Sequence, residues 1–520
     1  MPFSQYVRIV LGEQFWIYCF SLMIRSTTIK ASTQETPAAD IVKVAGRGTI
    51  YITAAKLWFM ASGYGIYFML ARLMSPEQLG LYQVATSVVS IINAVVVTGT
   101  SQTVSKYISQ KTEKADSVKA KALKLQLPVG GSITLAFFLL APVIASYLND
   151  ARLVNYLRIA SLITLSYSFY SVFTGYFNGQ KKFFTQAALD ITYSTLKLVF
   201  ILLFVWLGYG GLGGVGGFAL AAACVLIISA AVAGRGERTG DVPASDLLKF
   251  QAYLLLFTLV LNLLQKVDLI LIKALSSADA IVASENVAYY GAAINIANII
   301  YQVIISATFV IFPLVSQVTF ADDRARTQSY ISNTLRYTLM IMALLATLFS
   351  ANSSGVLSVI YKDVYQAGSP ALSIVAFGML FFGLIYVMTT IITASGRPTV
   401  SLMIGAVTLM VNAGLNAMLI PAYGIKGAAI GTTVSMLLGT IIGGSYLIAK
   451  FGALMPVISI LRIALCSGLI YAASIAFTPA SKVLIVGKLA VLCLVYVIAL
   501  VVVKEIGRDD LADVKKVLKK

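Results

Sequence analysis

Histidine is absent from the 520-residue sequence, and charged residues make up only 12% of it. The absence of histidine excludes Ser-His-Asp catalysis and every metal site that needs an imidazole ligand. With 59% hydrophobic residues and a mean hydropathy of +0.87, the chain has too little polar surface to form several water-soluble domains. The sequence therefore predicts an integral membrane protein that crosses the bilayer many times.

Cysteine is scarce, and no phosphate-binding motif is present. The four cysteines lie far apart in apolar stretches, which is typical of small buried side chains rather than of a disulfide framework or a metal cluster. A glycine-rich run at 208–217 follows an apolar helix and has no lysine or acidic partner, so it does not indicate a phosphate loop. We therefore expect no cofactor and no bound metal. The cysteines are Cys19, Cys224, Cys466 and Cys493.

Apolar windows of about 20 residues, the length that spans a bilayer as a helix, occur fourteen times. The connections between them are short, and none is large enough to form a soluble catalytic domain, so we expect no enzymatic activity. The predicted segments are 48–71, 80–103, 126–148, 154–177, 184–208, 211–233, 250–272, 288–315, 334–352, 368–393, 399–420, 424–448, 459–478 and 484–503.

The lysines and arginines are distributed unevenly between the two sides of the predicted membrane. With the N-terminus in the cytoplasm, 28 of the 39 basic residues fall on the cytoplasmic side and eight on the other, and three lie within helices. The positive-inside rule then predicts that both termini are cytoplasmic, in the plasma membrane. The net charge of +18 follows from this bias and from contact with anionic lipid headgroups, and does not indicate nucleic acid as a partner.

A repeated pattern divides the chain. Tyr209-Gly210 and Tyr423-Gly424 each begin the spacing Y-G-x-x-G-x-x-x-G, 214 residues apart, and each opens a helix. The repeat predicts a tandem duplication with both copies in the same orientation, whose close glycine spacing favours tight helix packing. The predicted divisions are an interfacial or disordered extension (1–45), a first lobe (46–234), a cytoplasmic linker (235–249), a second lobe (250–450), helices 13 and 14 (451–506) and a cytoplasmic tail (507–520).

Several short motifs carry a family resemblance through their order along the chain. They are residues 71–82 (ARLMSPEQLGLY), 175–183 (GYFNGQKKF), 267–270 (VDLI), 290–293 (YGAA), 312–313 (FP) and 423–429 (YGIKGAA). Over about residues 46–450 the chain resembles the polysaccharide flippases of the multidrug/oligosaccharidyl-lipid/polysaccharide (MOP) exporter superfamily. The two further C-terminal helices resemble its fourteen-helix members, which include lipid II flippases and the stage V sporulation protein B group. The resemblance implies a V-shaped, MATE-like pair of parallel six-helix lobes that moves lipid-pyrophosphate-linked sugars.

Ionisable residues inside predicted spans are candidates for function, because each costs roughly 2.5–3.5 kcal/mol to insert. Those well inside the spans are Lys56, Lys197, Lys266 and Asp268, whereas Asp190 is closer to the cytoplasmic end of its helix and can reach water. The excess of positive charge complements a pyrophosphate. Asn262 and Lys266 share a helix face at i, i+4, whereas Asp268 lies about 200° from Lys266. We therefore expect Asn262 and Lys266 to face a central cavity and Asp268 to bridge to another helix. Alternatively, the lysines extend to the interface or form buried pairs.

Neutral amides form two further stripes, one with Asn295, Asn298 and Gln302, the other with Asn412 and Asn416. Amides can bind sugar hydroxyls or link helices, and the sequence favours neither. Arg72 follows the first helix and is predicted to approach the cavity mouth.

The resemblance also bears on the first helix. Lipid II flippases line their cavity with arginines, and Lys56 is the nearest match here. This difference favours a lipid-linked oligosaccharide other than lipid II.

The function predicted is a flippase for polyprenyl-pyrophosphate-linked oligosaccharide, working by alternating access. Its partners would be that glycolipid, the membrane lipids, and glycosyltransferases or a polymerase of the same pathway. Three alternatives remain open. The first is a MATE-type cation or drug antiporter that uses Asp268. The second is a lipid II flippase for peptidoglycan, and the third is a membrane glycan polymerase or ligase.

Overall fold

The computed structural model describes the backbone of residues 38–110, 112–236, 244–320, 324–477 and 481–507. These ranges form helices and short connections, in agreement with the predicted all-α class. The predictions for residues 1–37, 237–243 and 508–520 lie outside the described residues. In chain order the helices are α1 (Ala38–Leu73), α2 (Pro76–Gln110), α3 (Ala115–Tyr147), α4 (Leu153–Gly179), α5 (Phe183–Phe204), α6 (Gly210–Ala233), α7 (Ala244–Leu275), α8 (Ala280–Phe320), α9 (Arg324–Ala351), α10 (Ser353–Ile360), α11 (Ser369–Ala394), α12 (Pro398–Phe451), α13 (Val457–Ala476) and α14 (Lys482–Val502).

Within the described ranges, nine helical stretches are long and apolar enough to cross a bilayer. Two of them, of 51 and 54 residues, are more than twice the roughly 20 residues that one crossing needs. The chain is therefore a multi-pass membrane protein, and the count of fourteen crossings stays a prediction. The nine stretches are Pro76–Gln110, Thr112–Tyr147, Phe183–Ala233, Ala280–Ile304, Thr327–Ala351, Asp363–Ala394, Pro398–Phe451, Val457–Ala476 and Lys482–Val502.

Each of the two longest stretches is broken by a glycine of the Tyr-Gly repeat. Gly210 begins α6 with φ 54° and ψ −142°, and Gly424 interrupts α12 with φ 56° and ψ −134°. Glycine adopts positive φ without the steric cost that a Cβ imposes. The repeat thus produces two turns of nearly the same backbone geometry, in agreement with a parallel duplication. We call α1–α6 the first half and α7–α12 the second half; the predicted domain boundaries themselves stay predictions.

The connections between successive helices alternate between two ends of the bundle. The turns at 74–75, 148–152 and 276–279 lie at one end, the Asp150 end, where Asn149 Nδ2 donates to the carbonyl oxygen of Ala274 at 3.3 Å. The connections at 112–114, 180–182 and 234–236 lie at the other, the Lys119 end, where Lys119 Nζ donates to the carbonyl oxygen of Gly234 at 3.0 Å. The predicted topology makes the Asp150 end the outer one.

Helix α2 occupies the boundary between the two halves. It packs against α4 of its own half and against α7 and α8 of the other half. In the second half α11 packs against α8, α9 and α12, while α13 packs against α9 and α14. Both halves therefore share α2 as a wall, and any cavity between them must be lined by it.

Several helices extend beyond the predicted segments, because a hydropathy window finds only the apolar part of a helix. Helix α1 begins at Ala38 rather than near residue 48, so the helix extends into the predicted 1–45 extension. The connection between the predicted segments 334–352 and 368–393 contains the short helix α10 and a 3₁₀ helix, Asp363–Gly368.

Candidate functional site

A cavity of about 380 Å³ lies between the first half and α7. Its volume falls in the range of protein ligand sites, roughly 300–1,000 Å³. Five helices of the first half form most of the wall, and α7 supplies the remainder. The lining residues are Phe59, Gly63, Ile66 and Tyr67 of α1; Tyr82, Thr86, Val89, Ser90, Asn93, Ala94, Val97 and Thr98 of α2; Tyr167 of α4; Lys197 of α5; Phe218 of α6; and Asn262 and Lys266 of α7.

Two lysines from different halves face this cavity, Lys197 of α5 and Lys266 of α7. Their ammonium groups are close enough to repel each other. None of the lining residues is acidic, and among the described residues no carboxylate pairs with either lysine. Lys197 Nζ instead lies 4.1 Å from the ring centroid of Phe218, whose face attracts cations. The cavity therefore holds positive charge that an anionic ligand would neutralise.

The neutral lining follows from helical spacing. Thr86, Ser90 and Asn93 recur every three or four residues along α2, which brings them to one face. Asn262 and Lys266 of α7 do the same, as their i, i+4 spacing predicts. The Oδ1 of Asn93 is buried and has no hydrogen-bond partner within the described ranges, so it can accept a hydrogen bond from a ligand hydroxyl.

Asp268 is only 3% exposed and lies outside this cavity. Tyr290 and Thr432 donate to its Oδ2 at 2.9 and 2.8 Å, and Asn412 and Asn416 donate to its Oδ1 at 3.2 and 3.1 Å. The carboxylate thus links α7 to α8 and to both parts of α12, in the bridging position that the sequence predicts. In this arrangement the two asparagines link helices and do not line the cavity.

Lys56 and the amides of α8 are placed elsewhere. The exposed Lys56 lies one helical turn before Phe59 but is not part of the lining, and its charge attracts that of Asp190. Asn295 lies near Tyr361, and Gln302 lies near Tyr64 and Tyr301. Asn298, partly buried on the same helix, is also outside the lining. Their predicted contacts with substrate stay predictions.

An ionic cluster closes the Asp150 end of the interface between the halves. Lys273 of α7 is fully buried and donates to Asp150 Oδ2 and to Ser284 Oγ, both at 2.7 Å. Arg152 pairs with the same carboxylate at 2.8 Å and also with Glu77. Burial alone raises the pKa of Asp150, but the hydrogen bonds from Arg152 and Lys273 outweigh it and lower this pKa below its usual value. The cluster thus holds a charged pair across the two halves.

Close packing accompanies the cluster. Arg72 Nη2 donates to the carbonyl oxygen of Ile360 at 3.4 Å, so Arg72 also spans the two halves at this end and does not line the cavity. A Cβ at Gly80 would collide with the backbone of Ser284, and one at Gly291 would collide with the side chain of Gln83. The two halves are therefore in direct contact on the Asp150 side of the cavity.

The sequence interpretation missed most of the cavity wall. The aromatic residues Phe59, Tyr67, Tyr82, Tyr167 and Phe218 line the cavity, yet aromatic residues are common in any membrane helix. The polar stripe of α2 (Thr86, Ser90 and Asn93) could have been predicted, because its i, i+4, i+7 spacing places the three side chains on one helix face. For metals, no group of three His, Cys, Asp or Glu side chains comes together in the described part of the chain.

Comparisons with known proteins bear on this architecture. The family model described as Polysaccharide biosynthesis protein matches residues 45–319. An uncharacterised membrane protein of Methanocaldococcus jannaschii is 28% identical over 144 residues. That match spans 28% of the chain and only 28% of the length of the relative.

Three solved structures share the fold. The lipid II flippase MurJ in an inward closed conformation matches with a TM-score of 0.72 at 15% identity, over 86% of this chain and 98% of its own. An inward-facing multidrug resistance MATE family transporter of the MOP superfamily matches with a TM-score of 0.64 at 16% identity, over 76% and 95%. A MOP superfamily transporter from Pyrococcus furiosus matches with a TM-score of 0.58 at 16% identity, over 81% and 100%.

These identities support the shared fold alone, whereas the family model covers more than half of the 520 residues. The chain therefore belongs to the polysaccharide biosynthesis protein family.

Proposed function

We propose that the chain is a flippase that carries a polyprenyl-pyrophosphate-linked oligosaccharide across the plasma membrane by alternating access of its two halves. The observation that carries the proposal is the pair Lys197 and Lys266, which face one cavity from different halves without an acidic partner there. A pyrophosphate placed between them would remove their mutual repulsion and supply the missing negative charge.

The mechanism needs no covalent step. The pyrophosphate binds the two ammonium groups, the polyprenyl chain stays in the lipid, and the sugar follows the polar face of α2. Opening the Asp150 end requires the ionic cluster around Asp150 and Lys273 to separate, which would expose the cavity to the other side of the membrane. Both termini are then cytoplasmic, as the distribution of basic residues predicts.

A cation antiporter is less well supported by the same geometry. A cationic drug would meet two positive charges in the cavity, and the lining contains no carboxylate to bind it. Asp268, the acid such a mechanism would use, already accepts four hydrogen bonds away from the cavity. Lipid II and other lipid-linked oligosaccharides share the pyrophosphate, so the lysine pair would bind either class of lipid.

Charge substitutions at the two lysines test the proposal. Lys197→Gln and Lys266→Gln each remove one charge-assisted contact, worth about 1.5–3 kcal/mol, so binding of polyprenyl pyrophosphate to the purified chain should weaken by roughly 10- to 150-fold. Lys→Arg at either position keeps the charge and should retain part of the binding. Export of lipid-linked glycan in cells should fall in the same order.

The matched control is Lys362→Gln, because Lys362 is exposed in the 361–362 connection, away from the cavity. This variant should bind and export as the unaltered chain does. If the two cavity variants retain normal binding at normal protein levels, the pyrophosphate does not bind these lysines and the proposed function loses its basis.

A further inference from the structure

A second pocket of about 400 Å³ lies next to the cavity, towards the Lys119 end. Its lining contains hydroxyl and amide side chains, one lysine and one glycine, with no large apolar residue. The residues are Ser101, Gln102, Ser105, Lys106 and Ser109 of α2, Thr174, Gly175 and Asn178 of α4, and Gln186 of α5.

The pocket continues the face of α2 that lines the cavity. Val97 and Thr98 belong to the cavity, and Ser101 and Gln102 belong to the pocket. These pairs are four residues apart, so they lie one above the other on the helix, separated by about 6 Å of rise. The two spaces therefore follow one another along the same face of α2.

The 175–183 motif of the family resemblance builds one wall of this pocket. A Cβ at Gly175 would lie 2.5 Å from the carbonyl oxygen of Ser101, so only glycine lets α4 approach α2 this closely. Asn178, three residues later in the motif, then reaches the polar residues of α2. The motif thus contributes a backbone approach and a side-chain amide to the same pocket.

A chain of hydrogen bonds orients the amides. Ser105 Oγ donates to Asn178 Oδ1 at 2.9 Å, and Asn178 Nδ2 donates to Gln186 Oε1 at 2.9 Å. The amide NH₂ of Gln186 comes last in this chain and forms no hydrogen bond with the described residues. Such an NH₂ group offers two donors, and the nearby hydroxyl oxygens offer acceptors, which is the mixture that sugar hydroxyls bind.

Charge separates this pocket from the cavity. Lys106 is the one ionisable residue of its lining, and its Nζ lies 5.7 Å from the ring centroid of Tyr107. The cavity, in contrast, presents Lys197 and Lys266 together. A pyrophosphate therefore favours the cavity, and an uncharged polyhydroxylated group favours the pocket.

We propose that this pocket binds the first sugar of the glycan while the pyrophosphate occupies the cavity, an assignment that rests on the proposed function. Gln102, Asn178 and Gln186 are then specificity-determining residues that contact the saccharide. The order from cavity to pocket along α2 matches the order of pyrophosphate and sugar in the glycolipid.

The test compares two lipids on the full chain in nanodiscs. One is polyprenyl pyrophosphate without sugar, and the other is polyprenyl-pyrophosphoryl-N-acetylglucosamine. The unaltered chain should bind the second about tenfold more tightly. Gln186→Ala and Asn178→Ala should lose about tenfold in affinity for the glycolipid, the size of one lost hydrogen bond, and nothing for the sugar-free lipid.

Two further variants test whether the loss of affinity is specific to the pocket. Gln102→Ala alters an exposed pocket residue outside the hydrogen-bond chain, so it should fold normally and still lose affinity for the glycolipid alone. Gln366→Ala, in the 3₁₀ helix between α10 and α11, is the matched control and should change neither affinity.

The outcomes separate the two proposals. The pocket assignment is overturned if its variants weaken both lipids equally or neither lipid, or if the unaltered chain binds both lipids with the same affinity. Lys266→Gln should weaken both lipids. If the unaltered chain binds neither lipid, the proposed function itself is refuted, and the pocket assignment with it.

Discussion

Asp150→Asn removes the anion that Lys273 faces across the interface between the two halves. Lys273 is fully buried, so the substitution leaves an ammonium group out of water without its directly bonded carboxylate, while Glu77 stays paired with Arg152. Breaking a buried pair in this way costs about 3–5 kcal/mol. At about 1.4 kcal/mol per factor of ten, the closed arrangement of the Asp150 end should lose at least about 100-fold in population relative to the open one.

The reverse substitution should have a smaller effect. In Lys273→Met the carboxylate of Asp150 keeps Arg152 at 2.8 Å, and an apolar side chain of similar length fills the buried site. The double variant Asp150→Asn/Lys273→Met removes both members of the pair, so its closed population should exceed that of Asp150→Asn alone. This asymmetry follows from the second partner of Asp150 and from the complete burial of Lys273.

Thiol labelling can measure the opening. Gln83 is 3% exposed and lies against Gly291 between the halves, so Gln83→Cys in a cysteine-free background reports separation at the Asp150 end. A membrane-impermeant maleimide applied from that end should label the introduced thiol slowly in the parent, fastest with Asp150→Asn and at an intermediate rate in the double variant. Asp363→Asn, at an exposed acid of the same end, should leave the rate unchanged. Equal labelling of Asp150→Asn and its parent, or of the single and double variants, would refute the reasoning.

Three further predictions concern pH, a buried carboxylate and the backbone. Because the folded-state pKa of Asp150 is lowered, its contribution to closure is complete above the ordinary carboxyl pKa of about 3.9 and is lost as pH falls through the lowered value. Labelling of the thiol introduced by Gln83→Cys, normalised to the labelling of an exposed cysteine, should therefore rise only in that acid range. Asp150→Asn should abolish this rise. Asp268→Asn places an amide donor among the four groups that donate to Asp268, so it should destabilise the chain by about 1–3 kcal/mol. Its melting temperature in detergent should be lower than that of the control Asp363→Asn. Equal melting temperatures would contradict this prediction. Gly424→Ala should lower the free energy of unfolding by roughly 1 kcal/mol, because the φ of Gly424 is 56°. Gly414→Ala, at a helical position with open space around it, should not lower the melting temperature. If both variants change the melting temperature in the same direction, the strain attributed to the turn at Gly424 is wrong.

The sequence predicts the membrane class, the position of most helices and the faces of α7, because these depend on local apolar runs and on 100° of rotation per residue. The spacing separates Asn262 and Lys266 from Asp268, and the structure places them on opposite sides in the same way. The Tyr-Gly repeat similarly predicts both helix breaks, since glycine at positive φ is a local requirement.

The depth and rotation of one helix relative to another depend on tertiary packing, which single-sequence patterns do not contain. Lys56 and Lys197 are equivalent as isolated charges in apolar segments, yet only Lys197 lines the cavity. From the sequence, Lys273 is only one of the eight basic residues assigned to the outer side, with no predicted burial or partner. Its burial against Asp150, 123 residues earlier, depends on how the two halves meet.

The two halves contribute unequally to the cavity wall. The first half supplies almost all of it, and the second half contributes Asn262 and Lys266 from one face of α7. When the halves part, a bound substrate would therefore travel with the first half, as cargo, while Lys266 withdraws from it. Affinity would then fall at the moment of exposure by the share that Lys266 provides, so release would need no separate trigger. Chains cross-linked at the Asp150 end should hold polyprenyl pyrophosphate more tightly than chains trapped open there, and Lys266→Gln should abolish that difference.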